Sequence, residues 1–372
     1  AAKRHQHIGL RLAGELDAAF EIFERVAEQA KVDHLGAGVA GDFEEFLVGL
    51  VAAHRQLEMA GRLQRGPDPV GTGRHVQVGD TGRTQRIEHC ADDDRQCRGG
   101  ATFATGLDAQ RIHKHPSYVE LERVAFSEFG LAAASHRGGV LGWDKPMPPA
   151  AKYAITYLYV QAEFGVCCPL SMTDALTRTI RKFADPALVA RFLPGLTAQD
   201  MDALTQGAMF MTEQGAGSDV AHTASIAYPD LSDAGLTDNG VVPQSCGGKD
   251  LEPNWRLYGE KWFCSNPDAD LAMVLARTGP MQDGIKAVSL FLMPKLLPNG
   301  QPNHYRIVRL KDKLGSRSMA SGEISLQGAR AFLIGEAGRG FVQMADMVNN
   351  SRLSNGMRAA GMMRRAAQGA WV

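Results

Sequence analysis

Nine consecutive residues, MTEQGAGSD from Met211 to Asp219, place two hydroxyls, two acids and two glycines directly after the apolar run Ala208 to Met211. Glycine lets a backbone approach a flat or anionic ligand closely, and successive free N–H groups can receive its oxygens. Thr212 and Ser218 add hydroxyls that donate and accept. The chemistry on offer is binding. Gly215 and Gly217 lack the third glycine and the βαβ context of a dinucleotide fingerprint, and no Gly-Lys-Ser/Thr follows as a P-loop would require. Taken alone, the string suits a Gly-rich hairpin turn as well.

Further along, GEKWFCSN (Gly259 to Asn266) sets aromatic Trp262 and Phe263 beside Ser265 on a predicted hairpin. An aromatic ring can cover a flavin face while a neighbouring hydroxyl addresses a ring nitrogen. A packed hairpin would use the same residues. KDKLGSRSMASGEISL (Lys311 to Leu326) and FLIGEAGRGF (Phe332 to Phe341) complete an ordered series.

Over roughly Pro116 to Arg365, these four segments resemble the acyl-CoA dehydrogenase family. Its signature runs from a TEPGAGSD-like segment through GxKxWITN and KLGxRGS to a GEENxGF turn. CCPLSMT (Cys167 to Thr173), the glutamine of MTEQ and WFCS are similar to the adaptive-response (AidB-like) branch. The resemblance implies an α+β fold. A helical N-terminal domain is expected over 114–203, a middle antiparallel β-barrel or sandwich domain over 204–332, and the start of a C-terminal helical bundle over 333–372. It implies FAD, held by Met209, Phe210, Met211, Thr212, Gly215, Ala216, Gly217 and Ser218, and by Phe263, Cys264 and Ser265. Thr212 would lie near the pyrimidine edge, Ser218 near the FAD phosphate and the acyl-CoA pantetheine, Phe263 against the ring and Ser265 near N5. Arg352 falls where many members place a CoA-contacting arginine, although a surface helix arginine fits the position equally.

The implied activity is α,β-desaturation of an acyl-CoA thioester, with an electron-transfer partner or oxygen as acceptor, in a homo-oligomer. A stress-response flavoprotein that contacts DNA is the alternative implied by the branch, and an inactive remnant is a third reading. In that last case Met344, Met347 and Met362 would lie on an uncovered apolar face. Desaturation requires a carboxylate that reaches the acidified α-proton. In the family this is a glutamate, usually in a YEG(T/S) segment near the C-terminus, and no such segment occurs before Val372. A minority of members carry it where Ser351 stands here. Glu213 and Glu260 lie inside flavin motifs, with nothing in their spacing that directs them at a substrate carbon. No catalytic base is assigned, and the sequence is expected to be C-terminally incomplete.

The elements that must position these residues follow from pattern. Glu120 to Ala134 and Ala150 to Gly165 repeat apolar residues at helical spacing, and Ser171 or Thr173 can cap a third helix towards Phe183. Short β-type runs follow: Ala208 to Met211, Trp255 to Leu257, Leu271 to Ala276, Ala287 to Met293, Tyr305 to Leu310 and Glu323 to Leu326. Tyr228 to Asn254 reads as a surface excursion, and the helical period returns beyond Gly340. Residues 1–113 hold no Trp or Tyr, and only Lys3 and Lys31 as lysines. There, Leu10 to Leu57 could form amphipathic helices, whereas Arg62 to Gly100 reads as loop or disorder. A natural extension or a shifted GC-rich reading frame would each give this composition; a nucleotide-level frame comparison separates them.

At 372 residues, two or three domains are expected. With 44% hydrophobic and 22% charged residues and a formal net charge of -1, composition offers no argument for a polyanionic partner. No apolar stretch approaches the roughly 18 residues of a membrane span, and the N-terminus lacks a signal-peptide pattern, so a cytoplasmic protein is expected. The six cysteines follow no disulfide framework. His89, Cys90 and Cys97 do not make up a structural zinc set, so no metal is expected. Vicinal Cys167 and Cys168 read as small buried hydrophobes.

Overall fold

The computed structural model describes residues 111–114, 116–230 and 251–370, together with strand segments at 74–75, 77–79 and 88–89. The helices expected between Leu10 and Leu57 lie outside the described residues. In the stretch read as irregular, Arg74–His75 pairs with Glu88–His89, and Gln77–Gly79 pairs with Arg111–His113 beyond it, both antiparallel. These pairings need no apolar alternation, which is why the sequence pattern did not announce them.

Among the described residues, four helices come first. α1 (Pro116–Arg123) runs into a π turn at Val124–Glu128, followed by α2 (Pro149–Val160), α3 (Cys167–Phe183) and α4 (Pro186–Leu196). Proline opens α2 and α4, where its missing N–H costs nothing, and Asp185 caps α4 by accepting from the Ala187 N–H at 2.8 Å. The start expected for α3 is corrected. The helix begins at Cys167, and Ser171 and Thr173 lie inside it, donating to the Cys168 carbonyl at 3.0 Å and the Pro169 carbonyl at 2.8 Å. Pro169 sits in the first turn, where proline is tolerated, so the apolar residues Val166, Cys167 and Leu170 can be buried from the outset.

Seven strands follow: β1 (Gly207–Phe210), β2 (Ile226–Pro229), β3 (Trp255–Ser265), β4 (Leu271–Arg277), β5 (Val288–Pro294), β6 (Tyr305–Leu310) and β7 (Ser321–Ile334). The spatial order is β6-β7-β5-β4-β1-β3-β2, and β7 also pairs with β3, so the sheet closes into a barrel. β7 achieves this through its length. Its Ser321–Ala331 portion lies on β3 and its Phe332–Ile334 end on β5, with register shifts where the strand bends. Pairing is antiparallel except where β1 and β2 meet β4 in parallel.

β4 and β5 are buried along their whole length because both faces are covered. One face joins Phe210, Leu257, Cys264, Val274, Phe291 and Ile324 inside the barrel. The other joins Met273, Leu275, Leu290 and Leu292 to Leu176, Ile180 and Leu188 of the helical layer.

α5 (Gly340–Ala370) lies over this second core. Met344 and Met347 are fully buried there, contrary to the expectation of an uncovered face, while Met362 remains exposed. Asp174 joins four parts of the chain. Its carboxylate meets Lys152 Nζ of α2 at 2.5 Å, His136 Nε2 at 2.8 Å and Asn350 Nδ2 of α5 at 3.1 Å.

α3 seats β1 directly, since the Gly207 N–H donates to Thr173 Oγ1 at 2.9 Å. A Cβ on Gly207 would stand 3.1 Å from both Leu176 Cβ and Thr173 Cα. Gly207→Val is therefore expected to cost about 1–3 kcal/mol through overpacking. Thermal unfolding followed by circular dichroism would show a lowered midpoint; an unchanged midpoint would contradict this close approach.

Candidate functional site

The two motifs that sequence spacing singled out meet at the ends of β1 and β3. Met209 stands opposite Ser265, and the Trp262 N–H donates to the Thr212 carbonyl at 2.9 Å. Beyond Thr212 the chain closes a small loop, with the Glu213 N–H donating to the Ala216 carbonyl at 3.0 Å and the Ala216 N–H to the Glu213 carbonyl at 3.3 Å. The Glu213 carboxylate fastens this loop to the barrel. It accepts from the Ala224 N–H at 2.6 Å, the Ser225 N–H at 3.1 Å and Lys261 Nζ at 2.6 Å. Burial alone would raise this carboxyl, but the Lys261 charge and these hydrogen bonds hold it below the usual carboxylate range. Burial pulls Lys261 down despite the opposing Glu213 charge. Both groups are thereby committed to structure, and Glu260 lies exposed on β3.

Strand alternation divides the predicted residues by face. Met209, Met211, Thr212, Phe263 and Ser265 line a cavity of about 250 Å³. The side chains of Phe210 and Cys264 point the opposite way into the barrel core, where burial pushes the Cys264 thiol up. Gly215, Gly217 and Ser218 are exposed on the turn beyond, with Ala216 buried beneath them. A Cβ added at Gly215 or Gly217 would meet nothing within 4 Å, so this side of the loop is open to a ligand. Arg352 stands outside the wall, exposed and 3.3 Å from Asn349 Oδ1.

Other parts of the chain complete the cavity. Phe164, Gly165, Cys168 and Met172 come from the start of α3 and the segment before it, Ser316 and Met319 from the loop ahead of β7, and Ser351, Asn355 and Arg358 from α5. The last three follow at intervals of four and three residues and so share one helix face. That spacing was present in SRLSNGMR, but no motif marked it as a wall. The loop ahead of β7 is tied to the helical layer through Glu163 Oε1, which accepts from the Gly165 N–H at 2.6 Å and Ser318 Oγ at 2.8 Å.

The arrangement fits a flat heteroaromatic group such as the flavin of FAD. Phe263 presents a ring that is 53% exposed, Met209 and Met211 supply polarizable apolar contact, and Thr212 and Ser265 bring hydroxyls to the same cavity. Lys311 stands 3.1 Å from the Trp262 ring centroid and 4.6 Å from that of Phe263, and also pairs with Glu323. Trp262 and Phe263 meet edge to face at 6.5 Å. These contacts hold the aromatic pair in place. Among the described residues no carboxylate lines the cavity, so this wall is equipped to bind and orient.

Comparison with known proteins agrees with that geometry. Residues 208–329 match the family described as acyl-CoA dehydrogenase, middle domain, and residues 69–203 match the adaptive response protein AidB N-terminal domain. Acyl-CoA dehydrogenase family member 11 of Caenorhabditis elegans is 31% identical over 236 residues, covering 60% of this chain and 35% of the relative. AidB of Escherichia coli (strain K12) is 33% identical over 278 residues, covering 71% of this chain and 44% of its own. The chain thus spans less than half the length of either curated relative. Among solved structures, Bd2924 in its apo form superposes with a TM-score of 0.61 at 27% identity, covering 89% of this chain and 57% of that one. C. elegans ACDH-11, solved in complex with C11-CoA, shares the fold with a TM-score of 0.62 at 24% identity, covering 88% of this chain and 47% of that one. With two adjoining family matches and a site whose ordered motifs converge on one cavity, the chain belongs to the acyl-CoA dehydrogenase family.

Proposed function

We propose that this chain provides the FAD site and part of the substrate wall of an oxidoreductase that desaturates an acyl-CoA thioester between Cα and Cβ. The carrying observation is the convergence of Met211 and Thr212, just beyond β1, with Phe263 and Ser265 of β3 onto one cavity. When bound, FAD supplies the hydride acceptor that such a reaction requires. Thr212 and Ser265 orient the flavin through its polar edge, and Phe263 covers its ring. Met209 and Met211 exclude water from the reacting carbons. Removal of the α-proton falls to a base outside the described cavity wall, which has hydroxyls, an amide and a guanidinium but no carboxylate. An electron-transferring flavoprotein as acceptor, a homo-oligomeric assembly and a cytoplasmic location complete the proposal. Among the described residues, no helix is long and apolar enough to cross a membrane.

The test is FAD affinity, measured by isothermal titration. Thr212→Val combined with Ser265→Ala is expected to weaken binding by about 10-fold or more, the scale of one to two lost hydrogen bonds. Cys264→Ala, on the barrel side of the same strand, should leave affinity within a few-fold. Equal affinity in the wild type and the double variant would overturn the assignment of these hydroxyls.

A further inference from the structure

Arg358 is the buried charge that the flavin site does not use. It lines the cavity from α5 and is only 2% exposed. Its Nε has no hydrogen-bond partner among the described residues, and its guanidinium lies 5.3 Å from the Phe164 ring centroid. Among the described residues, no acidic group forms an ion pair with it. Glu163 directs Oε1 to the Gly165 N–H and Ser318 Oγ, and burial lifts the Cys167 thiol to about 12 against the pull of the Arg358 charge, so that sulfur stays protonated. The cavity residue one turn before it on α5, Asn355, is an uncharged amide. A guanidinium buried without an anion is costly, and an apolar acyl chain laid against it would leave that cost in place.

Position adds to the chemistry. Asn350, next to Ser351, meets Asp174 of α3, whereas Arg358 meets Phe164 ahead of α3, so α5 runs along the cavity with Ser351 and Arg358 towards opposite ends. Seven residues of helix separate them by about 10 Å. That span is comparable to an extended eight-carbon chain.

We propose that Arg358 is a specificity-determining residue that receives a carboxylate at the far end of the acyl group, so the preferred ligands are CoA monothioesters of dicarboxylic acids. The guanidinium offers a planar fork of N–H donors matched to a carboxylate, and the Phe164 ring lies within cation–π distance of it. This rests on the acyl-CoA reading of the cavity, and the experiment separates the two.

The FAD-loaded chain would be titrated calorimetrically with octanoyl-CoA and with the monothioester of octanedioic acid. The diacid thioester is expected to bind about 10- to 100-fold more tightly, as a hydrogen bond to a charged group commands. Arg358→Met should abolish that preference while retaining FAD. Equal or reversed preference in the wild type, or a preference that survives Arg358→Met, would overturn the assignment. Retained FAD with no binding of either thioester would also overturn it and leave the flavin site standing, whereas failure to retain FAD would remove the reading beneath it. If Arg358→Met does not fold, the wild-type comparison decides alone.

Discussion

Lys261→Met is expected to destabilise the chain by about 3–5 kcal/mol, because it leaves a buried carboxylate without its cation. Lys261 is fully buried, and its Nζ lies 2.6 Å from Glu213 Oε1 and 3.4 Å from the Met211 carbonyl. With the lysine gone, Glu213 keeps only the Ala224 and Ser225 N–H groups against the cost of burial. Because the same carboxylate fastens the 213–216 loop to the barrel, FAD affinity should fall together with stability. Urea unfolding measures the first and flavin titration the second. Combining Lys261→Met with Glu213→Gln should recover part of the loss, since the double variant no longer buries an unpaired charge. A single variant as stable as the wild type would show that the pair is not a structural anchor.

The second large effect is expected at Asp174→Ala, which strands Lys152 in the interior. Burial by itself would raise the Asp174 carboxyl, but the Lys152 charge and the His136 hydrogen bond override it and hold the group well below the usual carboxylate range. The folded value thus lies below the unfolded one. The sign follows from linkage: the contribution is present in full above the unfolded pKa of about 4 and is lost as pH falls towards the folded value. At neutral pH the substitution should cost about 3–5 kcal/mol. The gap between wild type and variant in urea unfolding should narrow below about pH 4. A gap independent of pH would mean that Asp174 acts through packing and not through charge.

Local pattern carried much of this molecule and long-range pairing carried the rest. Tyr305–Leu310 was legible as a strand to the residue because a short apolar alternation is bounded by turns. β3 and β7 were legible only in part. Residues beyond the runs read from pattern, such as Tyr258 of β3 and Gln327 of β7, are strand because they pair with each other as the barrel closes. The parallel meeting of β1 with β4 joins segments about 60 residues apart, and nothing local encodes it. In the site, MTEQGAGSD and WFCS were visible as chemistry, but alternation sent Phe210 and Cys264 to the core side of strands whose other faces line the cavity. Arg358 and Asn355 went unread because a helix face becomes a wall only when something packs beside it. Arg352, two turns ahead of Arg358, drew attention by resemblance and lies outside the cavity wall.

The central claim is that these converging strand ends bind FAD. The direct measurement is the absorption spectrum of the purified chain after saturation with FAD and removal of free cofactor by gel filtration. The account predicts that flavin absorbance elutes with the protein near one FAD per chain and that its bands are shifted or better resolved than those of free FAD. A chain that circular dichroism shows to be folded, but from which all flavin separates as small molecule, would contradict it.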